Sequence, residues 1–348
     1  MKKISQGKRN HLKNIVDENG RIGALAIDQR GALKKLIGQY RETNDRDIVG
    51  FKEIVSKELT PYASAILLDP EYGLPAAKDR AHNTGLLLAY EKTGYDSSLP
   101  GRLPDSLNTW SVKRLKEVGA DACKFLLYYD VDENEEINEQ KKAYIERIGS
   151  ECLAEELPFF LEIISYDAIH SDTTTKEYAK IKPRKVIEAM QEFSKERYHV
   201  DVLKVEVPVN MNFVEGFGKE AVYSREEAKT FFLAQSAATE RPFIFLSAGV
   251  STELFQQTLR FAHEAGSDFN GVLCGRATWA EGVSPFVKEG NEAAVDWFQT
   301  IGKEKLHSLN NVLEQTASSI FNKSSFHNFY TERKVSIFEK KVEEPKVV

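Results

Sequence analysis

Residues 202–208 read VLKVEVP. Side chains of an extended chain alternate between two faces, so Leu203, Val205 and Val207 share one face and Val202, Lys204, Glu206 and Pro208 the other. The aliphatic face needs a covering layer of helices, and the face that carries the lysine then points into an enclosed interior. A short run that is apolar almost throughout suits a parallel strand buried on both sides.

Seven further runs of this kind flank it, at 22–28, 64–69, 85–91, 122–129, 158–164, 242–248 and 271–276. Helical spacing fills most of the gaps. Ile48, Phe51, Val55 and Leu59 make one stripe, and Leu107, Ser111, Leu115 and Val118 a second that stops at Gly119. Ile145, Ile148 and Cys152 make a third, and Val186, Met190 and Phe193 a fourth. Ser224 followed by Glu227 is a capping-box pair ahead of Phe231 and Phe232, and the stripe Phe255, Leu259, Ala262 ends at Gly266. The runs start about 36 residues apart on average, one strand–helix unit per step. Between the second and third runs, 70–84 has room for a short helix at most.

Eight such units in succession predict an α/β fold, a (β/α)8 TIM barrel. An open doubly wound sheet is the alternative, but AIDQRGALKKL after the first run lacks its GxGxxG fingerprint. Residues 1–21 are expected to lay a short helix across the bottom of the barrel, and helices over 291–301 and 303–317 to follow the eighth strand as a C-terminal extension. A single barrel domain thus spans 1–320. Residues 321–348, charged and ending in EEPKVV, form a tail that is peripheral and partly disordered, or that docks Phe326, Phe329, Tyr330, Ile337 and Phe338 on a neighbouring surface or subunit.

Composition removes several classes of function. With 41% hydrophobic and 29% charged positions in 348 residues, the chain can bury a large core and is not globally disordered. No run approaches the roughly 18 apolar residues of a membrane span. The N-terminal MKKISQGKRNHLKNIVDENG lacks the apolar centre of a secretion signal, so a cytoplasmic protein with no membrane partner is expected. The 47 basic and 53 acidic residues give a net charge of −6, with the basic ones scattered, which argues against nucleic acid. Cys123, Cys152 and Cys274 form no CxxC pair and read as reduced core residues.

Chemistry is to be sought where ionisable residues interrupt apolar strands. The same alternation sends Lys124 inward with Leu126 and Tyr128, Glu162 with Phe160 and Ile164, Asp28 with Ala24 and Ala26, and Arg276 with Val272 and Cys274. Lys124, Lys204 and Arg276 then share one interior with Asp28, Glu162 and Glu206. Burial and a neighbouring cation both favour the neutral form of a lysine, and a neutral amine beside Lys124 is a nucleophile able to form a Schiff base with a ketone. Lys204 fits that part. Glu162, among apolar walls that raise a carboxyl pKa, fits a general acid/base. The competing reading of each lysine is half of a buried ion pair, or a side chain that reaches out at the strand end. Two lysines and a glutamate at like depth on different strands favour chemistry, while Glu206 is expected to pair with a lysine.

LSAGVS at 246–251 and LCGRATW at 273–279 supply a second signal. In many barrels the loops after strands seven and eight bind phosphate. Ser247, Gly249, Gly275 and Arg276 suit that task, the glycines by letting backbone N–H groups approach an anion and the arginine by its fork of donors. His82, His170, His199 and His263 have no ligand spacing, so no metal is expected. Asp69, Glu71 and Asp130 stand near strand ends as substrate-positioning groups or caps, and Tyr128 and Tyr129 as core and rim.

At these residues the sequence resembles a known family. ALAIDQRGALKKLI, LTPYASAILLDPEYGLPAAKDRA, TGLLLAYEKTGYD, KFLLYYD, FFLEIISYD, DVLKVEVPVN, FLSAGVS and GVLCGRATWA are similar to the tagatose 1,6-diphosphate aldolases of the tagatose 6-phosphate pathway of lactose and galactose breakdown. The likeness runs in unbroken order from about residue 8 to about 320. It implies a class I aldolase that needs no metal or cofactor and cleaves D-tagatose 1,6-bisphosphate to dihydroxyacetone phosphate and D-glyceraldehyde 3-phosphate. It also implies Lys204 as the Schiff-base lysine and Glu162 as the proton-transfer group, with Asp28, Gln29 and Lys124 in the site and Ser247, Gly249 and Arg276 on a phosphate. A homo-oligomer is expected by the resemblance alone. Two rival readings stand beside it: an aldolase of the same family for another phosphorylated or sulfonated ketose, and a metabolite-sensing barrel that has lost turnover.

Overall fold

Each of the eight apolar runs is a strand in the computed structural model, which describes residues 4–323 apart from Ser97 and Ser171. They are β1 Ile22–Ala26, β2 Ala65–Leu68, β3 Gly85–Ala89, β4 Ala122–Tyr129, β5 Phe159–Ser165, β6 Val202–Val205, β7 Phe243–Leu246 and β8 Gly271–Cys274. All neighbouring pairs are parallel, and pairing of β1 with β8 closes a barrel in sequence order. The architecture is the (β/α)8 barrel that the alternation of patterns predicts.

The helices are α1 Gln6–Ile15, α2 Gly31–Gly38, α3 Asp45–Leu59, α4 Leu74–Asp79, α5 Val112–Glu117, α6 Glu135–Ala154, α7 Lys176–Phe193, α8 Arg225–Ala237 and α9 Thr252–Glu264, followed by α10 Arg276–Trp279, α11 Val283–Lys288, α12 Asn291–Trp297 and α13 Lys303–Thr316. Local chemistry sets their ends. The Ser224 and Glu227 side chains cap one another's backbone at the start of α8, and Asn44 and Asp47 do the same for α3. The stripe expected from Leu107 onward begins later, because the Ser111 hydroxyl accepts from Arg114 N and starts α5 at Val112, while Leu107 N is held by Tyr90 O at 2.9 Å. Helices α10 and α11 are too short for a periodic stripe to reveal.

Two apolar layers follow from the alternation. Small and aliphatic side chains such as Ala24, Ala65, Leu67, Leu87 and Ile244 fill the interior, with Leu12 and Ile15 of α1 and Ile320 closing the bottom. The opposite faces, Leu203 and Val205 among them, pack on the helices. On β8 the expected parity is reversed: Leu273 faces the interior, and Val272 and Cys274 join the outer layer. The strand ends at Cys274, and Arg276 reaches the interior only because Gly275 and α10 turn the chain over the barrel mouth.

At the far end the chain stays on the barrel through residue 323. Phe321 packs beside the bottom cluster, and Lys323 pairs with Asp268 at 2.5 Å. The rest of the expected tail, with Phe326, Phe329, Tyr330, Ile337 and Phe338, lies outside the described residues. Among the described residues no helix is long and apolar enough to cross a membrane.

Buried cations brace the loops that carry the site. Lys52 donates to Ile27 O at 2.8 Å and pairs with Asp69, which fixes the chain just before Asp28 and caps Glu71 and Tyr72. Lys185 lies among Asp130, Asp132 and Asp167 and ties the ends of β4 and β5. These are the described carboxylates near enough to share an ion, and an ammonium group stands among them. Asp69 and Asp130 are therefore braces and caps rather than substrate contacts.

Lys141 of α6 is buried with its ammonium on Tyr166 Oη at 2.9 Å. Burial pulls its pKa down to about 8, against the attraction of Glu133 and Asp130. The unfolded chain therefore holds more protons between that value and the ordinary 10.5, and stability rises with pH across this window. In Lys141→Met, the stability difference from wild type is expected to move in favour of wild type by about 2–3 kcal/mol between pH 7 and pH 10.5. Chemical denaturation at both pH values measures it, and a difference independent of pH would refute it.

Candidate active site

The C-terminal ends of the strands surround a cavity of about 280 Å³. All nine residues singled out in the sequence as catalytic or substrate-binding line it: Asp28, Gln29, Lys124, Glu162, Lys204, Ser247, Gly249, Gly275 and Arg276. They come from β4, β5, β6 and the turns after β1, β7 and β8, so tertiary closure brings together groups up to 248 positions apart.

Glu162 and Lys204 are register partners on β5 and β6. Lys204 Nζ lies 2.8 Å from Glu162 Oε1, and Lys124 Nζ lies 2.7 Å from Glu162 Oε2, so one carboxylate bridges both amines. Lys124 also binds Asp28 Oδ2 at 3.0 Å and the Glu91 carboxylate. Burial works against the Lys124 ammonium, but Asp28, Glu162 and Glu91 outweigh it and hold its pKa well above the ordinary lysine value. Burial likewise pushes Asp28 up, and Lys124 and Lys204 bring it well below the carboxylate range.

Glu162 departs from the sequence expectation. Burial would raise its carboxyl, but Lys124 and Lys204 overcome that effect and lower it. Alternation along one strand shows apolar neighbours and cannot show that two ammonium groups from other strands grip both oxygens.

Glu206 departs as well. Strand β6 ends at Val205, alternation ends with it, and the Glu206 side chain turns to Lys182 of α7 at 3.2 Å. Its other oxygen accepts from Ser165 N and Oγ at 2.7 and 2.6 Å, which ties the ends of β5 and β6 together outside the cavity. It does pair with a lysine, though not with one in the site.

Two residues of the wall were missed. Glu91 stands on the inward parity of Leu87 and Ala89, so the rule that found Lys124 finds it too. Burial pushes its carboxyl above the ordinary value, against the pull of Lys124. Arg30 donates to Glu71 Oε2 at 2.5 Å and to Glu91 O at 2.8 Å, and so anchors the β3 end. No local pattern marks Arg30, because its partners lie 41 and 61 positions away.

Across the barrel from β3, Gly249 takes φ +77° directly after Ala248 at φ +50°, a tight left-handed turn. A Cβ on Gly249 would stand 2.9 Å from Arg276 Nη2, so the glycine makes room for the guanidinium. Gly275 leads into α10, and Trp279 Nε1 donates to Ala26 O at 2.9 Å, which pins that turn to the top of β1. The arrangement sets a buried amine beside a carboxylate at the centre and a guanidinium with glycine turns at one side.

Comparison with known proteins shows the family of the chain. The sequence profile of the DeoC/LacD family aldolases matches residues 22–281, from the first residue of β1 to just beyond α10. Tagatose 1,6-diphosphate aldolase 1 of Enterococcus faecalis is 71% identical over 323 residues, 93% of this chain and 99% of that protein. Tagatose 1,6-diphosphate aldolase of Lactococcus lactis is 60% identical over 318 residues, 90% and 98% of the two chains. Among solved structures, a fructose-bisphosphate aldolase from Plasmodium falciparum shares the fold with a TM-score of 0.69 at 15% identity, covering 91% of this chain and 98% of that one. An archaeal fructose 1,6-bisphosphate aldolase does so with a TM-score of 0.58 at 15% identity, covering 88% and 99%. The resemblance read from the sequence holds: this chain is an aldolase and belongs to the DeoC/LacD family.

Proposed function

We propose that the protein is a class I aldolase that cleaves D-tagatose 1,6-bisphosphate to dihydroxyacetone phosphate and D-glyceraldehyde 3-phosphate through a Schiff base on Lys204, as a step of the tagatose 6-phosphate route of lactose and galactose breakdown. The observation that carries it is the 2.8 Å contact between Lys204 Nζ and Glu162 Oε1 inside a cavity that also holds the Lys124 ammonium. The names of the relatives supply the substrate.

Glu162 takes the proton of the Lys204 ammonium, and the free amine adds to the C2 ketone. The carbinolamine hydroxyl leaves as water with the proton returned by Glu162, which gives a cationic iminium and a carboxylate again. That carboxylate removes the C4 hydroxyl proton, the C3–C4 electron pair flows into the iminium, and the aldehyde departs. Protonation of the enamine at C3 and addition of water release dihydroxyacetone phosphate and the amine. A carboxyl that is lowered yet within reach of both amines suits this shuttling, because its basicity rises once Lys204 is no longer an ammonium. Lys124 stays charged and orients the C3 and C4 oxygens. Asp28 and Gln29 bind the sugar chain, and Ser247, Gly249, Gly275 and Arg276 hold the C1 phosphate.

Borohydride added with dihydroxyacetone phosphate is expected to leave a mass adduct on Lys204. An adduct on Lys124 would move the nucleophile, and full activity after borohydride with loss on chelation would remove Schiff-base chemistry. Steady-state kcat/KM across epimeric ketose bisphosphates tests the substrate. Gly249→Ala, which crowds Arg276, is expected to raise KM roughly tenfold, and a fall in kcat with KM unchanged would take Gly249 out of the phosphate subsite.

A further inference from the structure

The phosphate cluster accounts for one end of a bisphosphate, and the opposite rim has a cation that fits the other. In a closed barrel of eight strands, β3 lies across from β7, so the loop from β3 to α5 faces the turn that holds Ser247 and Gly249. Arg102 of that loop stacks its guanidinium 5.0 Å from the ring centre of Tyr128 and 5.5 Å from that of Tyr166. Tyr128 itself lines the catalytic cavity. Stacking on an aromatic face holds a guanidinium in place and leaves its in-plane N–H donors available.

The other cations on that side of the cavity are engaged. Lys92 pairs with Asp105 at 2.6 Å, Arg30 with Glu71, and Lys124 with three carboxylates. The Arg102 side chain forms no hydrogen bond or ion pair with any described residue, and the same is true of Arg276 on the opposite side. The Arg102 backbone has φ +45°, beside Gly101 at φ +87°, a costly conformation for a residue with a side chain. Gly101 O accepts from Tyr166 Oη at 3.3 Å, which fixes the turn against the stacking ring.

We propose that Arg102 binds the distal phosphate of the substrate, the one carried away by the aldehyde product, and so sets the preference for a bisphosphate. This rests on the reading of the substrate as a ketose 1,6-bisphosphate. Arg276 in the cavity wall and Arg102 stacked on the wall residue Tyr128, neither with a hydrogen bond or ion pair to a described residue, match two phosphates on one chain of carbons. Arg102 contacts no reacting atom and acts as a specificity residue.

The test compares kcat/KM for tagatose 1,6-bisphosphate and tagatose 1-phosphate in wild type, Arg102→Gln and Arg102→Lys. The Gln variant is expected to lose about 30-fold or more on the bisphosphate, mostly in KM, with the preference for the second phosphate shrinking at least tenfold. The Lys variant is expected to recover part of that preference, since it keeps the charge but not the fork. Should circular dichroism show the Gln variant misfolded, the Lys variant carries the same ratio test. Equal losses on both substrates would mean that Arg102 acts only through the tyrosine packing, and would overturn the proposal, as would no loss on the bisphosphate. Wild type that cleaves both substrates equally well removes the role of Arg102 alone. Wild type that cleaves neither removes the proposed reaction, and this inference with it.

Discussion

Lys204→Ala is expected to lower kcat for ketose bisphosphate cleavage by roughly 10⁴-fold or more, with the borohydride adduct lost as well. In the proposed reaction the iminium is the electron sink for the C3–C4 bond, and the other cation at the centre, Lys124, is tied to Asp28, Glu91 and Glu162 and held in its charged form, which disfavours it as a replacement nucleophile. The variant should fold, since Glu162 keeps Lys124 at 2.7 Å and is not left as a lone buried charge. Steady-state cleavage and mass spectrometry of the reduced complex check the result together. Activity within tenfold of wild type would eliminate Lys204 as the covalent residue.

Lys124→Met is the larger threat to folding. It leaves Asp28, Glu91 and Glu162, all nearly buried, with Lys204 as the remaining central cation. Breaking a buried ion pair on one side costs about 3–5 kcal/mol. The sign of the pH dependence follows from the carboxyls. Burial raises Asp28 and Glu162, but Lys124 and Lys204 bring both below their ordinary values of 3.8 and 4.5. Their contribution to stability is thus full above those ordinary values and is lost as pH falls through the lowered ones. Without Lys124 the carboxyls take up protons at higher pH, so the deficit of the variant is greatest near neutrality and narrows toward about pH 4. Chemical denaturation of both proteins at pH 7 and pH 4.5 measures it. A deficit that stays constant with pH would show that Lys124 contributes by packing alone.

Glu91, Glu162, Glu206 and Arg276 show how far a one-dimensional reading reaches. Lys124 and Lys204 were legible because a charge in the middle of an apolar strand is conspicuous and alternation assigns its face. Glu91 obeys the same rule and was within reach of it. Glu206 and Arg276 stand one and two residues beyond a strand end, where alternation no longer governs direction; one turned to a helix and the other was carried inward by a turn. Short helices such as α10 escape periodicity for a similar reason, since one turn has no second turn to match.

By itself the sequence determined the number and order of the strands, the barrel they close, and the inward placement of Lys124, Glu162 and Lys204, because covering eight apolar runs and alternating side chains are local demands on the chain. Only the tertiary structure decided how those charges balance. Whether Glu162 is raised or lowered depends on which ammonium groups stand within 3 Å of it, and those arrive from strands 38 and 42 positions away in the chain. Electrostatic energy follows distance through space rather than separation along the backbone, and so the protonation states of the site, and the rim cation at Arg102, come into view only once the barrel is closed.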